Sequence, residues 1–295
     1  MWILTAIMSL SSAVLAGGCK KGKTEFYLLK DTTASQMMGI VIITPDKKTI
    51  VIDGGTRGDS EQLMNFLRQK SSSHVDAWFF THPHQDHLGA FSYIFQYYME
   101  EITVDKIYHH FPSYEELMEY EYRTNDEKRV WQTTERLFEN EFKNKVQVVQ
   151  ANDVFQIGEI KITVLKVYDP QMTNNFINNS SVVYRVENEN TSFLILGDLG
   201  EEAGNELMQT CPLELLQADY TQMAHHGQAG VSKAFYEYIK PKRCIWPTPE
   251  WLWNNDNGEG FDTGPWLTVR TREWMEELGV TEHIISKDGV QLIKF

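Results

Sequence analysis

Residues 81 to 89 read Thr-His-Pro-His-Gln-Asp-His-Leu-Gly, placing three imidazoles and one carboxylate within the six positions from His82 to His87. Imidazole mixed with carboxylate suits Zn²⁺ and other borderline divalent ions, whereas all-oxygen sets suit magnesium or calcium. On an extended segment His82 and His84 project to the same side, so both can reach one ion. A turn after them redirects Asp86 and His87 toward a second ion, or lets them complete the first. The chain holds nine histidines in 295 residues, and three in six positions is far from a chance loop composition.

The flanks say what must position this cluster. Val75 to Thr81 is a short apolar run suited to a buried strand, and Leu88 to Met99 is an apolar, aromatic run suited to a buried helix packed closely through Gly89 and Ala90. The cluster therefore falls on a strand-to-helix turn, as functional groups at the carboxyl edge of a sheet often do. Three further sites carry chemistry. Asp53 closes the strand Ile50–Ile52 ahead of Gly54 and Gly55, where it can orient the metal-bearing loop by hydrogen bonding or form an ordinary Asx turn. Asp198 follows Gly197 at the end of the buried strand Ser192–Leu196, and a carboxylate there is costly unless paired or metal-bound. His225 and His226 lie between Ala224 and Gly227; one of them as a core histidine is reasonable, both is not.

His82-x-His84-x-Asp86-His87 resembles the signature of the metallo-β-lactamase-fold hydrolases, a superfamily broader than the antibiotic-degrading enzymes. Ile50–Gly55, Phe193–Asp198 and Ala224–Gly227 follow in the family's order, and the resemblance spans residues 25 to 295. It implies a four-layered αββα sandwich with one or two Zn²⁺ ions held by His82, His84, Asp86, His87, Asp198 and His226. Asp198 would bridge two ions, Asp53 would steady the loop, and His225 would contact substrate or donate a proton. The departure is Asn178-Asn179-Ser180-Ser181-Val182, where many members place a third histidine for the first ion. Asparagine is a poor ligand beside histidine, so that ion is expected to be weakly held. The pattern resembles a subgroup containing the β-lactamase-like domain of bacterial DNA-uptake channel proteins and phosphorylcholine esterases. Asn179 or Ser180 would then position an anion or ligand, or simply cap a strand. Asp86, His225 and Asn179 are the expected catalytic residues.

The rest of the chain sets the frame. Its length allows a large core, and 42% hydrophobic with 23% charged residues describes an ordinary globular protein. A formal charge of −14 disfavours nucleic acid and anionic membranes as partners, without excluding DNA. Residues 1–18 are uncharged and mostly apolar, ending in small residues before Cys19, and look like a bacterial lipoprotein signal. The expectation is lipidation of Cys19, a tether to residue 24, and an extracytoplasmic, membrane-anchored location. No Lys or Arg precedes the apolar run, and Leu15 lies one place too far from Cys19; an N-terminal strand or helix is the alternative. Cys211 and Cys244 read as structural and buried.

Phe26–Leu29, Gly39–Thr44 and Thr49–Ile52 read as strands, the last two as a hairpin, and Ser60–Gln69 as a helix capped by Asp59 or Ser60. Residues 91–145 form a helical insertion, with helices over Tyr114–Tyr122 and Asp126–Phe142, that could overhang the site; His109 and His110 within it read as structural. Val146–Val149, Ile160–Val167, Val182–Val186 and Ser192–Leu196 suggest a second sheet, giving one domain over residues 25–295. Trp246, Trp251, Trp253 and Trp266 lie in a proline-broken, loop-like stretch and form either an aromatic rim for a base, sugar or quaternary ammonium, or a core seam. Arg270–Leu278 reads as a final helix, with Ile284–Ile285 and Val290–Phe295 as a closing hairpin.

The expected function is zinc-dependent hydrolysis of a phosphodiester or phosphorylcholine-type ester by metal-activated hydroxide, with a small ester as partner. Alternatives are a lactam or thioester hydrolase, or a non-catalytic metal-binding protein of the same fold. The di-iron oxidoreductase branch typically carries glutamate where this chain has His84.

Overall fold

The computed structural model describes residues 22–121 and 124–295. The leader and Cys19 lie outside them. The strands are β1 (Glu25–Leu28), β2 (Gly39–Ile43), β3 (Thr49–Asp53), β4 (His74–Phe79), β5 (Thr103–His109), β6 (Val146–Val148), β7 (Val154–Ile157), β8 (Ile160–Lys166), β9 (Val183–Glu187), β10 (Ser192–Ile195), β11 (Tyr220–Gln222), β12 (Cys244–Trp246), β13 (His283–Ile285) and β14 (Gln291–Lys294). They form two seven-stranded sheets, ordered β14-β1-β2-β3-β4-β5-β6 and β13-β12-β11-β10-β9-β8-β7.

Alternation along the strands builds the layers. Ile40, Ile42, Ile50, Ile52 and Phe79 of the first sheet meet Ile162, Tyr184, Phe193 and Ile195 of the second in one buried cluster. Phe26 and Phe193 stack across it at 4.4 Å. The alternate residues Val41, Val51 and Trp78 face outward against helices α1 (Ser60–Ser71) and α2 (Gln85–Tyr97). Leu194, Leu196 and Trp246 likewise pack against the helices Glu201–Thr210, Lys233–Ile239 and Thr268–Glu277. Both faces of each sheet are covered, which is why the central strands read as unbroken apolar runs. The result is the expected αββα sandwich.

Four expectations are corrected. Val146–Val148 pairs in parallel with β5 in the first sheet, because the insertion returns the chain to that edge. The C-terminal strands form no hairpin: β13 pairs with β12 in the second sheet and β14 with β1 in the first, a split imposed by the turn through Ser286–Gly289. Helix α1 takes no side-chain cap from Asp59, whose carboxylate instead closes a capping box with Thr56 on the preceding 3₁₀ turn. Trp246 lies in strand β12 and is fully buried.

In each sheet a parallel set ends at the same rim: β3, β4 and β5 in one, β10, β11 and β12 in the other. That rim carries the site.

Candidate metal centre

The first half of the site is one turn. Strand β4 ends at Phe79 and α2 begins at Gln85, so His82 and His84 lie on extended chain and Asp86 and His87 in the first turn of the helix. His82 Nε2 and His84 Nδ1 stand 2.9 Å apart. The turn is pinned from behind. Asp53, at φ +56°, accepts the Thr81 N–H (2.8 Å) and hydroxyl (2.7 Å) and holds His87 Nδ1 at 2.7 Å. Having donated to Asp53, the Thr81 hydroxyl can only accept from His82 Nδ1 at 3.0 Å. Both rings therefore present Nε2 to the centre. Helix α2 lies close enough that a Cβ on Gly89 would meet the Arg57 amide nitrogen at 2.8 Å.

The second half comes from two separate turns of the other sheet. Gly197, at φ +57°, lets the chain pass between Thr81 and Ser181, and Ser181 Oγ accepts the Asp198 N–H at 3.1 Å. His225 and His226 follow β11, both with positive φ, near 51° and 55°. His226 Nδ1 donates to the Pro247 carbonyl (2.8 Å), leaving Nε2 toward the centre; His225 Nδ1 meets the Ala229 carbonyl at 3.2 Å. The sheets are tied at this rim by Val182 N–H to Thr81 O (2.8 Å) and the Tyr184 hydroxyl to Phe80 O (2.7 Å).

The halves converge on Asp198, which is fully buried with both carboxylate oxygens lacking a hydrogen-bond partner. Its oxygens lie 3.7 Å from His82 Nε2, 3.2 Å from His87 Nε2 and 3.4 Å from His226 Nε2. His226 Nε2 is 3.1 Å from Asp86 Oδ2. Two donor groups result, His82–His84–Asp198 and Asp86–His87–Asp198–His226, sharing Asp198. A tetrahedral ion with arms of about 2.0–2.1 Å has edges of about 3.3–3.4 Å, so these separations match the shell of a zinc-sized cation.

Charge says the same. Burial alone would raise the Asp198 pKa, yet His87, His226 and His82 hold it well below the usual carboxylate range. Burial alone would lower His226, yet Asp198 and Asp86 push it up to about 9. Burial also opposes a charged His87, which Asp198 and Asp53 raise well above its ordinary value, while burial and then His87 depress His82. Protons on His87 and His226 supply the positive charge that two buried carboxylates require, and a divalent cation supplies it better. The donor set fits bound metal.

The structure thus brings together His82, His84, Asp86, His87, Asp198 and His226, with Asp53 behind them. His225 stands at the edge, its side chain 19% exposed and Nε2 3.9 Å from Asp198 Oδ2. Asn179 is turned away, contrary to its expected catalytic place: its amide oxygen accepts the Gly200 N–H (3.1 Å) and its nitrogen donates to Asn174 O (2.8 Å). Ser180 Oγ likewise bonds the Ile177 carbonyl at 2.6 Å. Neighbouring Asn178 faces the cleft instead. That cleft, of about 440 Å³, is lined by Gln36, His84, Asp86, Asn178, His225 and Trp251 among others, and by Glu127 from the insertion. Sequence reading missed Gln36, whose Nε2 donates to Asp86 Oδ2 at 3.1 Å and whose Oε1 accepts from Gln228 at 2.7 Å; nothing in its loop sequence marks it. The helical insertion is shorter than residues 91–145, because residues 91–97 finish α2 and Thr103–His109 form strand β5; what remains, the helices Tyr114–Tyr120 and Asn125–Glu139, reaches the site through Trp131 Nε1 donating to Pro83 O at 2.6 Å. The tryptophans divide. Trp246 and Trp253 pack edge to face in the core seam, and Trp251, held by the Ala34 carbonyl and against Trp266, walls the cleft. Cys211 and Cys244 are free and buried.

Residues 40–165 match the model of the metallo-beta-lactamase superfamily. This is a metallo-β-lactamase-fold protein. Among solved structures, it superposes on the metallo-β-lactamase-fold protein YhfI of Bacillus subtilis with TM-score 0.55 and 13% identity, covering 93% of this chain and all of that one. A mutant of the CmlA β-hydroxylase superposes with TM-score 0.53 and 10% identity, covering 92% of this chain and 54% of that one. A curated relative, ComE operon protein 3 of Bacillus subtilis (strain 168), is 27% identical over 185 residues, 62% of this chain. The matched region is only 21% of that protein's length. The matched region includes the donors His82, His84, Asp86 and His87, while Asp198 and His226 of the same clusters lie beyond it. No helix among the described residues is long and apolar enough to cross a membrane.

Proposed function

We propose that the chain is a zinc-dependent phosphodiesterase acting on a small diester of the phosphorylcholine type. The observation that carries the metal half is Asp198, a fully buried carboxylate whose oxygens make no hydrogen bond and face the imidazoles of His82, His87 and His226 at the junction of two donor clusters. His82 and His84 would hold one ion, Asp86, His87 and His226 the other, and Asp198 both. Bound there, the ions lower the pKa of water toward neutrality and polarise a phosphoryl oxygen.

The chain's own groups would do the rest. His225 Nδ1 is steadied by the Ala229 carbonyl, which leaves Nε2 at the cleft edge to pass a proton to the leaving oxygen. Gln36 fixes the Asp86 carboxylate. Among its described lining residues the cleft has no Lys or Arg, so it offers a polyanion no side-chain cation. Trp251 and Glu127 supply an aromatic face and a carboxylate that suit a cationic head group. Lipidation of Cys19 and an extracytoplasmic site of action belong to the same proposal, and radiolabelled palmitate incorporation lost in Cys19→Ser would support them.

The test is hydrolysis of bis-p-nitrophenyl phosphate and p-nitrophenyl phosphorylcholine, beside a lactam and a thioester, by wild type and an Asp86→Ala, His87→Ala double variant. Zinc-dependent cleavage of the phosphoesters that vanishes in the variant is expected. Stoichiometric metal with neither phosphoester cleaved would sink the proposal and move attention to lactams, thioesters or a binding role.

A further inference from the structure

The site lacks the third histidine its fold leads one to expect, and the segment in that place is asparagine-rich. Asn179, Ser180 and Ser181 are all committed: Asn179 to Gly200 and Asn174, Ser180 to Ile177, Ser181 to the Asp198 amide. Asn178 is not. Its Nδ2 donates to Asn175 Oδ1 at 2.9 Å, which fixes the amide, and its Oδ1 is buried without any partner. The residue is only 5% exposed, and it lines the cleft beside His84, Asp86 and His225. Leaving a buried carbonyl oxygen bare is costly, and this one lines the same cleft as the metal donors His84 and Asp86.

The donor count says which partner. The ion served by Asp86, His87, Asp198 and His226 receives two imidazoles and two oxygens, whereas the ion served by His82, His84 and Asp198 has two imidazoles and one oxygen. We infer that Asn178 Oδ1 is the missing donor, giving the two ions matching sets of two imidazoles and two oxygens. Replacing a third imidazole by an amide oxygen makes the first site harder, and carbonyl oxygen suits Mn²⁺, so the site accepts Mn²⁺ as well as Zn²⁺. This rests on the metal-centre reading above but not on the choice of ester.

The test uses chelator-treated full-length protein titrated with Zn²⁺ and with Mn²⁺ by calorimetry, with electron paramagnetic resonance of the manganese form. Wild type is expected to bind two of either ion and to show a coupled Mn²⁺ pair. Asn178→Ala should keep one ion and bind the other at least about tenfold more weakly. Asn178→Asp, which retains the oxygen, should bind both. Asn178→His should bind zinc more tightly and lose preference for manganese. Thermal melts of the metal-free variants report folding. If Asn178→Ala binds two ions as wild type does, or changes only KM for substrate, the inference is wrong while the metal centre stands. Wild type binding no ion would overturn the metal centre itself.

Discussion

The two halves of the centre are built in opposite ways. On the first sheet, four donors come from six consecutive residues on one strand-to-helix turn, backed by a single carboxylate, Asp53. On the second sheet, Asp198 and His226 come from separate turns 28 positions apart in numbering, each needing left-handed backbone and each held mainly by backbone groups and neutral side chains. The first half is a motif with local chemistry; the second is a shape that only the assembled sandwich provides. Damage to the first should therefore show mainly in metal binding, and damage to the second also in folding.

The sharpest break is Asp198→Ala, which removes the group both halves share. Zinc content should fall from two ions toward none, and turnover by about three orders of magnitude or more, the scale of several kcal/mol of transition-state stabilisation. Elemental analysis with phosphodiester kinetics checks it. Next is Gly197→Ala. At φ +57° an added Cβ would stand 2.8 Å from Thr81 Cβ, so the melting temperature should drop by the equivalent of about 2–4 kcal/mol even without metal. Asp53→Asn makes the matching cut on the first half. Its amide would face the Thr81 hydroxyl and His87 Nδ1 with a donor, and zinc affinity should fall about 10–100-fold with a smaller change in metal-free stability. Equal losses of stability in the two variants would erase the contrast.

Legibility in the sequence follows the same divide. His82 to His87 could be read because a metal needs those donors together and a turn supplies them locally. Asp198 and His226 could be read only as expensive polar residues at strand ends. Asn178 and Asn179 cannot be told apart in the sequence, since only the helix Phe176–Asn179 turns one inward and the other toward the cleft. Gln36 and Trp131 act across 50 and 48 residues, a distance no local pattern spans. The strands were legible where apolar runs were long. The short pieces β7, β11 and β12 were not, because three or four residues carry no period.

The smallest predicted effect lies off the centre, at the end of strand β5. His109 packs between Phe111 and Phe138, and its Nδ1 accepts the Phe111 N–H. Burial, with a contribution from His110, lowers its pKa from 6.5 to about 3. The folded state thus binds fewer protons than the unfolded state between those values. Its stabilising contribution is complete above pH 6.5 and is lost as pH falls toward 3. His109→Asn keeps the acceptor without the titration. Urea melts should show a shallower loss of stability between pH 6 and 4 in the variant than in wild type, while zinc content at pH 7 stays unchanged.

A paired metal centre closed by Asp198 is tested by X-ray absorption at the zinc edge on fully loaded protein, with metal counted per chain. Two zinc ions about 3.5–4 Å apart are expected, each with two imidazole nitrogens on average. A single zinc per chain, or two with no metal–metal scattering, would contradict it.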